Sequence, residues 1–161
     1  MMGREMKCIV HKRNITRRRQ RRSASVWIEA AQLFSFREIE DSEGNVHVVW
    51  AHSRTGQSGR VSVRPGECTE FEALENHEHL IDDITPQQFR AMIPALDSLC
   101  RALRDALRVR CADRKFHVWG LIQLHGTMMV RFYQEWPGEP PYWTEDLLTD
   151  PTKERLIHYE T

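Results

Sequence analysis

The sequence predicts an α+β domain, an antiparallel sheet of about five strands with one main helix, residues 85–109, packed across one face. Residues 116–136 read as two arms rich in aromatic and β-branched residues, joined at His125-Gly126. Phe89, Met92, Ile93, Leu96, Leu99, Cys100, Leu103 and Leu107 recur at spacings of three and four, the signature of a helix with one apolar face. A chain of 161 residues, 40% of them hydrophobic, can build one core and is short for two. A single α+β domain is therefore expected at residues 25–161.

Residues 1–24 differ from the rest. Nine basic side chains in residues 1–22 stand against Glu5 alone, a balance of +8 that leaves −8 on the remainder of a chain whose net charge is zero. Like charges this dense repel, so the segment reads as a basic, disordered arm. Arg17, Arg18, Arg19, Arg21 and Arg22 can neutralise phosphates, which makes nucleic acid a candidate partner of the arm, without sequence preference. A solvated tail and an extension upstream of the true start remain open beside that reading.

The domain begins with residues 26–39, expected as a long strand. Asp41-Ser-Glu-Gly-Asn45 supplies turn residues, and residues 46–52 alternate well enough to pair back. Residues 60–64, ended by Pro65-Gly66, are expected to complete a three-strand meander. Residues 67–83 hold Glu67, Glu70, Glu72, Glu75, Glu78, Asp82 and Asp83 with no lysine or arginine, and read as an acidic loop with a short element near Phe71. The main helix opens at Thr85, which can cap, with Pro86 at the first helical position and Gln88 as capping-box partner. Pro94 is expected to kink or break it.

In the hairpin, Phe116, Val118, Ile122 and Leu124 share one face of the first arm, and Met128, Val130 and Phe132 share one face of the second. Gly126 is expected to take the positive φ of the turn. His117 faces away from the apolar set. Pro137-Gly-Glu-Pro-Pro141 then enforces an extended excursion that folds Tyr142 and Trp143 back on the sheet. Asp150-Pro151 reads as the start of a short last helix.

No apolar run approaches the roughly 20 residues that span a bilayer, and the first residues lack the apolar stretch of a secretory signal. A cytoplasmic protein without membrane contact is expected. Cys8, Cys68, Cys100 and Cys111 are scattered with no Cys-x-x-Cys pair, consistent with reduced thiols. His77-Glu-His79, near Cys68, Glu72 and Glu75, and Cys8-x-x-His11 are each only half of a metal-ligand pattern, so no metal or other cofactor is assigned. There is no Gly-x-Ser-x-Gly elbow, Walker loop or His-Glu-x-x-His, and no catalytic residue is assigned.

The order of the pieces resembles the YezG-like family of small bacterial immunity or antitoxin proteins. The resemblance is carried by the strand pair at 26–39 and 46–52, the helix at 85–109 and the Trp-led hairpin from Val118 to Tyr133. It departs where a basic arm replaces an opening helix and where Pro94 interrupts the central one. The resemblance implies a non-catalytic protein that neutralises a toxin by binding it. The functional expectation is a protein-binding module whose acidic segment, with Tyr142 and Trp143, engages a basic partner; the alternative is nucleic-acid association through the arm.

Overall fold

The computed structural model describes residues 8–11, 25–28, 30–57 and 59–161. In chain order its elements are β1 (Cys8–His11), β2 (Ser25–Ile28), a 3-10 turn (Ala30–Phe34), β3 (Phe36–Glu40), β4 (Val46–Trp50), α1 (Cys68–Glu75), β5 (His77–Asp82), α2 (Pro86–Arg110), β6 (Phe116–Gln123), β7 (Thr127–Gln134), a 3-10 turn (Glu145–Leu147) and β8 (Glu154–Glu160). The strands form three antiparallel sheets, β1-β2, β3-β4 and the four-stranded β5-β7-β6-β8. The fold is α+β with one main helix, as the sequence predicts. No described helix is long and apolar enough to cross a membrane.

The hairpin β6-β7 is the structural centre because its two faces bury different chemistry. Phe116, Val118 and Ile122 of β6 and Met128, Val130 and Phe132 of β7 join Leu96, Leu99, Cys100, Leu103 and Leu107 of α2 in one buried cluster. Each large apolar side chain taken out of water there contributes about 1.5–3 kcal/mol. Gly120 sets how closely α2 approaches, since a Cβ at that position would lie 2.6 Å from Cys100 Sγ and 3.0 Å from Leu96 Cγ. The capping box forms as expected: Thr85 Oγ1 accepts from Gln88 N at 3.2 Å, and Gln88 Oε1 accepts from Thr85 N at 2.9 Å.

Several local expectations are corrected. The positive φ in the β6-β7 turn, 60°, belongs to His125 rather than Gly126. Gly126 is needed for space instead, because a Cβ there would sit 2.9 Å from Gln123 Cβ. The turn is further held by Ile84, whose carbonyl accepts from His125 N at 2.8 Å and whose N–H donates to Gly126 O at 3.1 Å. Residues 26–39 form two strands separated by the 3-10 turn, and Trp50 Nε1 donates to Leu33 O in that turn at 2.9 Å. Residues 60–64 give only an isolated parallel bridge, Asp41 to Val61, in place of a third meander strand.

Pro94 does not break α2, which runs from Pro86 to Arg110 with Pro94 on its exposed side. Residues 77–82, expected as loop, form edge strand β5 against β7. Residues 154–160 form β8 rather than a helix, because β6 offers an open edge and Ile157 and Tyr159 alternate toward the α2 cluster. Within the expected arm, Cys8–His11 is a strand paired with Ser25–Ile28; Arg17, Arg18, Arg19, Arg21 and Arg22 lie outside the described residues.

Candidate functional site

The acidic segment folds into α1 and β5, and this divides its carboxylates by direction. Gly66, with φ 83°, turns the chain into α1. The helix start is capped from a distance: Cys68 N and Thr69 N donate to the Glu139 carboxylate at 3.0 and 2.6 Å. Burial raises the Glu139 carboxyl, but these hydrogen bonds outweigh it and hold its pKa below the usual value. Cys68, Thr69, Glu72 and Ala73 face inward, while Glu70 and Leu74 face out. Leu74 is 49% exposed beside a groove of about 410 Å³ that Glu67, Glu70, Phe71, Val63 and Arg64 also line.

The remaining acidic residues are partly occupied. Glu75 accepts from Thr55 Oγ1, Glu78 Oε1 lies 2.7 Å from His52 Nε2, and Asp82 Oδ1 lies 3.7 Å from His79 Nδ1. Asp83 is exposed at a φ of 57°. Glu72 is a correction to the expected acidic surface, because it is fully buried and turned toward the core. Tyr142 and Trp143 fold back as expected, half-buried against Trp119 and Tyr133.

Glu72 belongs to a buried network that joins three parts of the fold. His47 of β4 places Nδ1 3.0 Å from Glu72 Oε1 and Nε2 3.0 Å from Asp41 Oδ2. Glu72 also accepts from Gln134 N at 2.7 Å and from Trp136 Nε1 at 3.3 Å. Burial opposes the imidazolium, but the two carboxylates outweigh it and raise the His47 pKa. Burial likewise raises Asp41, yet hydrogen bonds from His47, Asn45 and Glu43 lower it to about 2. For Glu72 burial wins and the pKa is raised.

Cys68 lies close enough for its sulfur and ligand atoms of Asp41 and His47 to fall within 4.8 Å of one another. The grouping suggests a nucleophile with its base, or a metal site, and the chemistry refuses both. Burial, with Glu139 and Asp41 nearby, pushes the thiol up to about 12, so it stays protonated. Both ring nitrogens of His47 already face carboxylates, leaving none to accept the thiol proton or bind an ion. The network is a buckle between β4, α1 and β7.

The face of the sheet opposite α2 is built differently. His117 and Trp119 of β6, Arg131 and Tyr133 of β7 and His158 of β8 lie on it, with Tyr142 and Trp143 packed over part of it. Trp119 stacks on His158 at 3.7 Å between ring centroids with planes 7° apart, and donates Nε1–H to Tyr133 Oη at 3.0 Å. His117 Nδ1 stands 3.0 Å from His158 Nε2. Burial lowers the pKa of both rings, so each is neutral at neutral pH. The Arg131 guanidinium lies 4.8 and 4.4 Å from the ring centroids of Tyr142 and Trp143, and its Nε and Nη1 have no hydrogen-bond partner among the described residues. A cleft of about 190 Å³ opens beside this cluster, lined by Lys115, His117, Tyr133, Glu135, Trp136 and Glu160.

Sequence reasoning placed His117 on the correct face but did not find His47, His158 or Glu160 as members of any cluster. His158 and Glu160 were hidden by the helix assigned to their segment, and His47 by neighbours that are apolar on both sides. His77 Nδ1–H donates to Leu74 O at 2.6 Å, and among the described residues neither His77 nor His79 joins a three-ligand cluster. Comparison with protein-family models, curated proteins and solved structures returned no match.

Proposed function

We propose that the protein is a non-catalytic binding module of the immunity-protein type, engaging a basic protein partner through the outward face of α1. The observation that carries this reading is Leu74, 49% exposed beside the groove shared with Glu67 and Glu70. An exposed leucine among carboxylates suits a partner that pairs lysines or arginines with an apolar anchor. The acidic residues supply encounter rate, and the leucine supplies retention once water is expelled. The toxin-neutralising role implied by the YezG-like resemblance belongs to the same reading. So does action in the cytoplasm, where the free, buried Cys68, Cys100 and Cys111 stay reduced.

The test uses an amphipathic Lys/Leu helical peptide as first probe and any basic protein captured by the full chain as second. Glu67→Lys with Glu70→Lys should lower the association rate about tenfold or more and flatten its salt dependence. Leu74→Asp should act mainly on the dissociation rate. Unchanged rates for both probes in both variants would remove α1 as the docking face.

A further inference from the structure

We propose that His117, His158 and Glu160 bind a single zinc-class divalent transition ion between β6 and β8, at the mouth of the cleft beside Tyr133. The antiparallel register brings the three together, pairing His117 with Glu160 and Trp119 with His158, so all three side chains project from the same face. His117 Nδ1 lies 3.0 Å from His158 Nε2, and Glu160 Oε1 lies 3.6 Å from the first and 4.0 Å from the second. A tetrahedral ion with bonds of about 2.0–2.1 Å holds its ligand atoms about 3.3–3.4 Å apart. The observed separations bracket that value, and small side-chain rotations reach it.

Two imidazoles and one carboxylate favour zinc, cobalt or nickel over magnesium or calcium, which prefer oxygen alone. The surroundings hold the ligands in place. Trp119 fixes the plane of His158, and the Tyr133 ring lies 5.4 Å from that of His117. Lys115 Nζ takes Glu160 Oε2 at 3.5 Å and leaves Oε1 directed at the histidines. Glu135 Oε2 stands 4.0 Å from His117 Nε2, the nitrogen turned away from the ion.

Binding requires both facing nitrogens to be unprotonated, with each ring's proton on its other nitrogen, which for His117 is Nε2 on the side of Glu135. His117 and Glu160 also line the cleft, so the fourth coordination position opens toward it and can take water or a small ligand.

The test is titration of the untagged, chelator-treated full chain with zinc by calorimetry and with cobalt by visible absorption. One equivalent should bind, with the cobalt bands of a four-coordinate site. His158→Ala and Glu160→Gln should each weaken zinc binding by about 10–100-fold. The double variant His77→Ala/His79→Ala should bind as the parent does. Glu160 is 45% exposed, so Glu160→Gln keeps the fold and stays informative if His158→Ala does not. No binding by the parent chain, equal binding by Glu160→Gln, or loss of binding in the His77/His79 variant would each overturn the site.

Discussion

Two histidine–carboxylate clusters among the described residues differ in what their polar atoms have left over. His47 spends both ring nitrogens on Asp41 and Glu72, and Glu72 takes three further donors, Gln134 N, Gln134 Nε2 and Trp136 Nε1. Asp41, His47, Glu72 and Gln134 are sealed from water, and Trp136 is half-buried at their edge. His117 and His158 have one short contact with each other, a carboxylate within 4.0 Å, and a cleft at their side. The same residue types therefore do opposite work. A saturated cluster specifies how elements pack, whereas a cluster with spare lone pairs and access can take a ligand.

The strongest way to break the comparison is to remove the acceptor at the centre of the sealed cluster. Glu72→Ala leaves the His47 imidazolium, Gln134 N and Trp136 Nε1 without their partner in the core, and the expected loss is about 3–5 kcal/mol in denaturant unfolding. A loss under about 1 kcal/mol would mean that the buckle contributes little and that water replaces the carboxylate.

The next effect is a pH dependence of the same cluster. The folded-state pKa of His47 is raised above its ordinary 6.5, so its stabilising contribution is complete below 6.5 and is lost as pH rises through the folded value. His117 and His158 are shifted down, so their titration falls below 6.5 and acts in the opposite sense. Asp41, at about 2, does not titrate in this window. The urea midpoint should therefore fall as pH rises above about 6.5 and through the raised folded-state value, and the slope should flatten in His47→Gln. An equal slope in the variant would assign the decline to other groups.

The legibility of these regions in the sequence follows the range of the interactions that form them. The start of α2 was readable because Thr85, Pro86 and Gln88 act within one turn, and its buried face because Leu96, Leu99 and Leu103 repeat every three or four residues. The β6-β7 faces were readable for the same reason at period two. Pro94 is expected to kink or break the helix; it does not break it, because the buried face resumes beyond the proline at Leu96, Leu99 and Leu103. Strands β5 and β8 were missed because an edge strand is made by its neighbour. The acidic run at β5 and the Asp-Pro start before β8 say more about solvent than about pairing. Glu72 was read as surface because charge usually is; its partners His47, Gln134 and Trp136 come from distant segments that no local pattern connects.

The smallest expected effect sharpens the contrast from the open side. Glu160→Gln removes a 45% exposed carboxylate whose charged partner is Lys115, 51% exposed, with His117 and His158 at 3.6 and 4.0 Å, and exposed carboxylates at such distances contribute little. Without zinc its stability should match the parent within about 0.5 kcal/mol. With zinc, the parent should melt at a higher temperature by the linkage between binding and folding, and the variant should show little of that rise. The two readings of the cluster then separate cleanly. If it is a second buckle, Glu160→Gln destabilises the protein with or without the ion. If it is a ligand site, the variant costs nothing until the ion is present, because the groups that hold a ligand are those that packing has left incompletely paired.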